Sequence, residues 1–306
     1  MTEKYKEAVH YRPETTQACE AVLVLLLQAF GTLKGSLRLI GGLVPRYLAP
    51  ASPPEVPEHV GTTDVDIVLD VAVLDAGEGY NTLKEQLKEA GFTRFKKPDG
   101  TPSSWQWERE VDGHRILVEF LIHTGDPNGQ GLVQLAGEDI SACKIPHAGM
   151  ASDWFVEREL RVDHPDGDGV SIEVVRHADA AAFVALKALA LKGRQTRKDV
   201  ADVVHVMRHY EGSPERLAAE FAQKLATGMH RDALHAALNE LHAKFCDDGV
   251  TEGYRKDGPG RFTAFHGITD EEERIREQRD VSGLMTEFLR LVQEASDWAA
   301  PVVGGR

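Results

Sequence analysis

Cysteine is scarce in this sequence. Cys19, Cys143 and Cys246 are the three present, they lie far apart, they match no CxxC spacing, and any disulfide leaves one over. A disulfide framework is therefore excluded, and a reducing cytoplasm is the expected location. Long apolar runs are lacking too. The longest, AVLVLLLQAF at 21–30, is about half the roughly 20 residues that a membrane span needs, so no membrane segment is expected. The opening MTEKYKEAVHYRPE has no basic stretch leading into an apolar one and does not read as a signal peptide. Positive charge is also in deficit: 49 acidic against 35 basic residues leave a formal charge of -14. That discourages indiscriminate binding to nucleic acid, and any such partner has to meet a local basic patch. There is no internal repeat and no low-complexity tract.

What is present divides into two halves. TTQACEAVLVLLLQAF, 15–30, opens with cap-type threonines and carries apolar residues at helical spacing, which predicts a buried helix. SLRLIGG predicts a short strand ending in paired glycines, LVPRYLAP one or two helical turns, and ASPPEVPEHVGT a Pro-rich loop. DVDIVLDVAVL, 64–74, reads as a strand, and YNTLKEQLKEAGF, 80–92, as a helix stopped by Gly91. SSWQWERE and HRILVEFLIH, joined by the Asp112-Gly113 turn, form a hairpin, and ERELRVDHPDGDGVSIEVV, 157–175, a second one. GLVQLAGEDI fits neither strand nor helix better. From residue 177 four helix-like segments follow in succession, and after the charged stretch DEEERIREQRD a last helix starts at Val281. The fold class is α/β (α+β): a mixed sheet-and-helix half over 1–176 and a helical half over 177–306.

Three features carry chemistry. Gly41 and Gly42 end a strand before a helical turn, where bare backbone amides can hold a phosphate, although glycine pairs also end strands for steric reasons alone. Asp64 and Asp66 alternate onto one face of their strand, with Val65, Ile67 and Leu69 on the other. Two like charges so placed call for a cation such as Mg2+ or for full exposure to solvent. Glu119 stands inside the apolar ILVEFLI, where an unpartnered carboxylate costs several kcal/mol. Its partner is either an arginine on the next strand or the metal shared with Asp64 and Asp66.

Gly-Gly, then DxD on a strand, then a third acid on a later strand resembles the nucleotidyltransferase superfamily that shares its fold with DNA polymerase beta. AAFVALKALALKGRQTRKDVADVV, 181–204, is similar to the segment of AbiEii/MenT-type nucleotidyltransferase toxins in which a helix lysine is followed by a Lys-Asp pair opening another helix. Here these are Lys187, Lys198 and Asp199, with Asp202 one turn on. The matched parts span about residues 37–205. Two departures stand out. The gap from Gly42 to Asp64 is longer than the family's usual spacing, and Gly42 replaces a serine that many relatives carry. Thr62 or Thr63 offers a hydroxyl in its place.

The resemblance implies an NTP as co-substrate and two Mg2+ ions held by Asp64, Asp66 and Glu119, with Gly41, Gly42 and Thr63 at the triphosphate. It implies phosphate neutralisation by Lys187 and Lys198, and Asp199 orienting Lys187 or the acceptor. The acceptor it implies is a hydroxyl on RNA, tRNA in particular, with a cognate antitoxin as a further partner. Lys187, Lys192, Arg194, Arg197 and Lys198 make a basic cluster that suits RNA phosphates or, equally, the donor triphosphate alone. Two alternatives stay open: a small-molecule (antibiotic-type) nucleotidyltransferase, and a non-catalytic nucleotide-binding or interaction protein with the same fold. The Asp/Gly cluster at 163–169 reads as a hairpin turn. His205 and His209, four apart, read as core or surface residues because no third zinc ligand is near in sequence.

Overall fold

The computed structural model describes residues 5–70, 83–126, 129, 131–135, 140–165, 167, 169–194, 196–212 and 214–301. It is a mixed α/β protein, with a mixed open sheet flanked by helices and a helical C-terminal part. Two compact units divide the chain: Arg12–Tyr47 with Val60–Asp179, and Met1–Tyr11 with Leu48–His59 and Ala180–Arg306. Their border along the chain is thus Asp179/Ala180, and the helical unit also takes the N-terminal residues and most of the Pro-rich loop.

The sheet unit opens with α1 (Pro13–Phe30), whose first position is a proline, where the missing N–H costs nothing. With the turn after it, this helix is long and apolar enough to cross a membrane by length and composition, but 67% of that window is buried inside the protein. It is the core helix of the sheet: Phe30 packs on Phe120 with ring centroids 5.8 Å apart. The remaining elements are β1 (Leu37–Ile40), α2 (Val44–Leu48), β2 (Asp64–Leu69), α3 (Leu83–Glu89), β3 (Thr93–Lys96), β4 (Pro102–Val111) and β5 (His114–Thr124). They continue with β6 (Leu132–Gln134), β7 (Ser141–Pro146), α4 (Gly149–Asp153), β8 (Phe155–Asp163) and β9 (Val170–Ala178). Residues 71–74 of the expected strand, 80–82 of the expected helix, and 136–139 of GLVQLAGEDI lie outside the described residues.

Strand order is β3-β4-β5-β2-β1-β9-β8, with β6 and β7 off this path. Strand β5 is the hub. One edge takes β2 in parallel, and the other is shared between β4, antiparallel over the first half, and β7, parallel over the second. Both expected hairpins form. Asp112 and Gly113 have φ of 50° and 75°, the left-handed pair that a tight two-residue turn requires. Strand β7, SACKIP, has little alternation and is a strand because it pairs along the free half of β5.

The alternation in β2 and β5 then separates two faces. Val65, Ile67, Val118, Phe120 and Trp107 fill the side on which α1 packs, each at most 1% exposed. Each such side chain contributes about 1.5–3 kcal/mol by leaving water. The opposite face carries Asp64, Asp66 and Glu119, followed by Val68 and Leu121, which pack with Ala148 at the start of α4.

The helical unit consists of α5 (Ala180–Leu191), α6 (Arg197–His209), α7 (Glu215–Thr227), α8 (Arg231–Phe245), α9 (Asp257–Phe265) and α10 (Glu271–Ala295). Helices α5 to α8 are the four expected ones. The last helix begins at Glu271 rather than Val281, because the Asp270 carboxylate accepts a hydrogen bond from the Glu273 amide (2.9 Å) and the acidic first turn suits the helix dipole. Helix α9, DGPGRFTAF, is an addition that its glycines conceal in the sequence.

Candidate functional site

Register gathers the three acids. Asp66 is the parallel neighbour of Glu119 on β5 and the antiparallel neighbour of Ile40 on β1, so Asp64, Asp66 and Glu119 share one face across two adjacent strands. All three are buried, at 5%, 8% and 7% exposure. Adjacent strands lie about 4.8 Å apart and alternate residues about 6.6 Å apart along a strand. Three carboxylates at such spacings repel one another unless positive charge or hydrogen-bond donors compensate.

Asp64 and Glu119 each have a neutral donor beside them. The Thr62 hydroxyl donates to Asp64 Oδ1 at 2.8 Å, and the Gln106 amide nitrogen donates to Glu119 Oε1 at 2.8 Å. The hydrogen-bond partner of Glu119 on the next strand, β4, is therefore a neutral amide rather than the arginine considered for it. Gly41, next to Ile40, lies against Asp66: a Cβ built on it falls 2.0 Å from Asp66 Oδ2, and its φ of +77° is one that side chains rarely adopt. Only glycine fits there, for both reasons. A similar constraint fixes the entry to β2, where Thr16 Oγ1 on α1 accepts a hydrogen bond from the Thr62 amide (3.1 Å) and a Cβ on Gly61 collides with that same oxygen. Of the two threonines considered for phosphate, Thr62 is thus committed to Asp64 and α1, while Thr63 is half-buried beside it. Gly42 is buried in the turn that follows β1.

The residue types suit Mg2+, which takes hard oxygen ligands, and the gap at Gly41 keeps the Asp66 carboxylate free of crowding from β1. The side chains are not pooled, however. Among the described residues no three His, Cys, Asp or Glu are grouped tightly enough to hold a metal ion. The hydrogen bonds from Thr62 and Gln106 explain part of this, because they orient Asp64 and Glu119 individually.

The second constellation lies in the helical unit. Lys187 on α5 donates to Asp199 Oδ1 (2.5 Å) and Asp202 Oδ2 (2.9 Å), both on α6, and Lys198 donates to Asp202 Oδ1 (2.6 Å). His59, from the Pro-rich segment, meets that same Asp202 oxygen at 2.9 Å. Asp202 is 0% and Lys198 1% exposed, and Lys187, Asp199 and His59 are buried with them. Lys187 is accordingly no surface lysine, and neither Lys187 nor Lys198 presents its charge to RNA at the surface. Of the expected basic cluster, Lys192 is exposed and Arg194 and Arg197 are half-exposed.

Burial acts to raise the Asp202 pKa, but Lys187, Lys198 and the His59 hydrogen bond outweigh it and hold the carboxyl well below its usual range. Burial lowers the His59 pKa, with Asp202 acting in the opposite sense. The ring is then neutral at pH 7, and it donates Nε2–H to the ionised Asp202. His205 meets it edge-to-face, 5.0 Å between centroids, and its pKa is pushed down to about 3, mainly by burial and then by His59 and His209. His205 and His209 are likewise 5.0 Å apart as rings, tilted by 58°, so their helical spacing brings them into ring contact.

Sequence reasoning missed Gln106 and His59. Alternation in SSWQWERE and a histidine before a strand are weak signals, because neither names the distant residue that each one meets. The sequence matches no protein-family model and no curated protein.

Proposed function

We propose that the chain is a Mg2+-dependent nucleotidyltransferase that moves a nucleoside monophosphate from an NTP to an acceptor hydroxyl. The observation that carries this reading is the fit of Gly41 against Asp66, with Asp64, Asp66 and Glu119 on one face of adjacent strands. In it, Asp64, Asp66 and Glu119 hold the metal ions, and the Gly41 and Gly42 amides orient the triphosphate beside them, with Thr63 as a further hydroxyl. Bound Mg2+ would supply Lewis acidity toward the reacting phosphate and the acceptor hydroxyl. Thr62 and Gln106 fix the orientations of Asp64 and Glu119. Lys187, Lys198 and Asp199, to which the resemblance gives phosphate neutralisation and its orientation, are left in this reading to the buried cluster with Asp202. The resemblance to AbiEii/MenT-type toxins favours tRNA as acceptor, a cognate antitoxin as partner and a cytoplasmic setting; the three free cysteines are consistent with the last.

A second reading, a non-catalytic nucleotide-binding protein of the same fold, draws on one observation: the absence of a pooled acidic triad among the described residues. One experiment separates the two. The full chain is incubated with Mg2+, each α-labelled NTP in turn and bulk tRNA, with Asp66→Ala as control. Asp66-dependent label on RNA establishes the transferase and its donor. Label on a small molecule instead redirects the acceptor. Mg2+-dependent NTP binding without any transfer supports the non-catalytic reading, and no NTP binding ends both.

A further inference from the structure

The carboxylate face continues into an apolar patch that the chemistry above does not use. Two residues beyond Asp66 and Glu119 lie Val68 and Leu121, which with Ala148 form a fully packed floor. Against this floor pack four half-buried residues, Ile40, Trp105, Cys143 and Ile145.

Trp105 stands out when compared with Trp107. Trp107 points to the α1 side of the sheet, is 1% exposed and has the Arg94 guanidinium over its ring at 5.6 Å. Trp105 lies against the carboxylate-side patch, is half-exposed, and its ring has no aromatic or cationic neighbour among the described residues. Its position follows from the sheet: β4 leaves the edge of β5 beyond Gln106–Glu119, and β7 takes over that edge at Leu121–Cys143. The Gln106 amide donates to Ser103 Oγ (3.2 Å), a local bond within the strand at this point. Trp105 is thereby set at the junction of three strands, one residue from the amide that holds Glu119.

We propose that Trp105, Ile40, Cys143 and Ile145 form the seat of the planar nucleobase of the bound NTP, an inference that rests on the nucleotidyltransferase reading above. The polarity along β1 supports this occupant. Ile40 belongs to the apolar patch, and Gly41, the next residue, lies against Asp66. A ligand that fits this gradient has an anionic end at the glycines and carboxylates and an apolar flat end one ribose away. The two-residue step from Asp66 to Val68 is about 6.6 Å, the scale of that spacer. Indole stacks on every base, so the seat tolerates all four bases, and selectivity among them is expected to be modest.

The test is calorimetric titration of the full chain in Mg2+ with ATP, GTP, CTP, UTP and, separately, inorganic tripolyphosphate. Wild type is expected to bind at least one NTP more tightly than tripolyphosphate. Trp105→Ala is expected to weaken NTP binding about 5- to 150-fold, the span of one base–aromatic stack, while leaving tripolyphosphate affinity unchanged. Trp105→Phe keeps a ring and is expected to retain most of the NTP affinity. Equal NTP affinity in wild type and Trp105→Ala overturns the seat while leaving the transferase reading intact. Equal loss for NTP and tripolyphosphate also overturns it, because the tryptophan then only supports the fold. If wild type binds neither ligand, the seat and the transferase reading fall together.

Discussion

The sheet face and the helical unit both bury acids, and they do so in opposite ways. In the helical unit two lysines and two aspartates balance, and Asp202 alone accepts from Lys187, Lys198 and His59. On the sheet face three acids of one sign lie on neighbouring strands, and Thr62 and Gln106 supply neutral donors. A balanced buried network resists loss of a member, because the remaining charges are left in a medium that solvates them poorly. A face of like charges has the reverse property, since removing one relieves repulsion. Stability is thus expected to depend on the first cluster and ligand binding on the second.

The largest expected effect follows from breaking the balanced cluster. Asp202→Ala takes from buried Lys198 its carboxylate at 2.6 Å and from Lys187 one of two, and is expected to cost about 3–5 kcal/mol in denaturant unfolding. Asp66→Ala is expected to cost much less in the same measurement while abolishing Mg2+-dependent NTP binding. Equal losses in the two variants would erase the distinction between the clusters.

Gly41→Ala ranks next. Its φ of +77° and the 2.0 Å approach of the new Cβ to Asp66 Oδ2 predict a cost of about 1–3 kcal/mol together with loss of NTP binding. Wild-type affinity in this variant would show that β1 does not need to approach Asp66. Gln106→Leu leaves a lone pair of buried Glu119 without its donor, and about 1–3 kcal/mol should be lost, read from the unfolding midpoint. Gln106→Glu is expected to be worse, because it replaces a donor with a fourth acid.

The smallest effect is one of pH. The pKa of His205 is depressed from its ordinary 6.5 to about 3 in the folded chain, where it faces His59, His209, Asp202 and Lys198. Between those values the unfolded chain binds the extra proton, so the neutral ring's contribution is complete above pH 6.5 and declines as pH falls toward 3. Asp202 adds to the same slope, because its depressed pKa favours the folded state above the ordinary carboxylate value and that advantage is lost on acidification. His205→Phe is therefore expected to flatten the dependence of Tm on pH between 6.5 and 3. An unchanged slope would mean that His205 is solvated.

Much of the secondary structure was legible because its signals are local. The Asp112-Gly113 turn, the alternation that puts Asp64 and Asp66 on one face and the Ala/Leu-rich pattern of α5 are each written within a few residues. Helix α9 was hidden by its glycines, whereas the charged stretch DEEERIREQRD, which reads as a solvated helix face, does form the first part of α10. At the site, the three acids and Gly41 were legible by residue type and spacing, whereas their partners were not. A glutamate in an apolar strand calls for some compensating group, and arginine and glutamine answer that need from the same side of the same neighbouring strand.

By itself, then, the sequence determined which residues share a strand face or a helix turn, since periods of 2 and 3.6 are properties of consecutive residues. It also determined that the acid at 119 needs a partner, because burying charge is costly wherever it occurs, while for Asp64 and Asp66 it left full exposure to solvent open. Tertiary structure alone decided that Asp66 lies beside Glu119, that Gln106 holds Glu119, and that His59 reaches Asp202 across 143 residues of chain. Those pairings depend on strand register and helix packing. These are set by how the whole apolar core closes, and no short window of sequence contains that information.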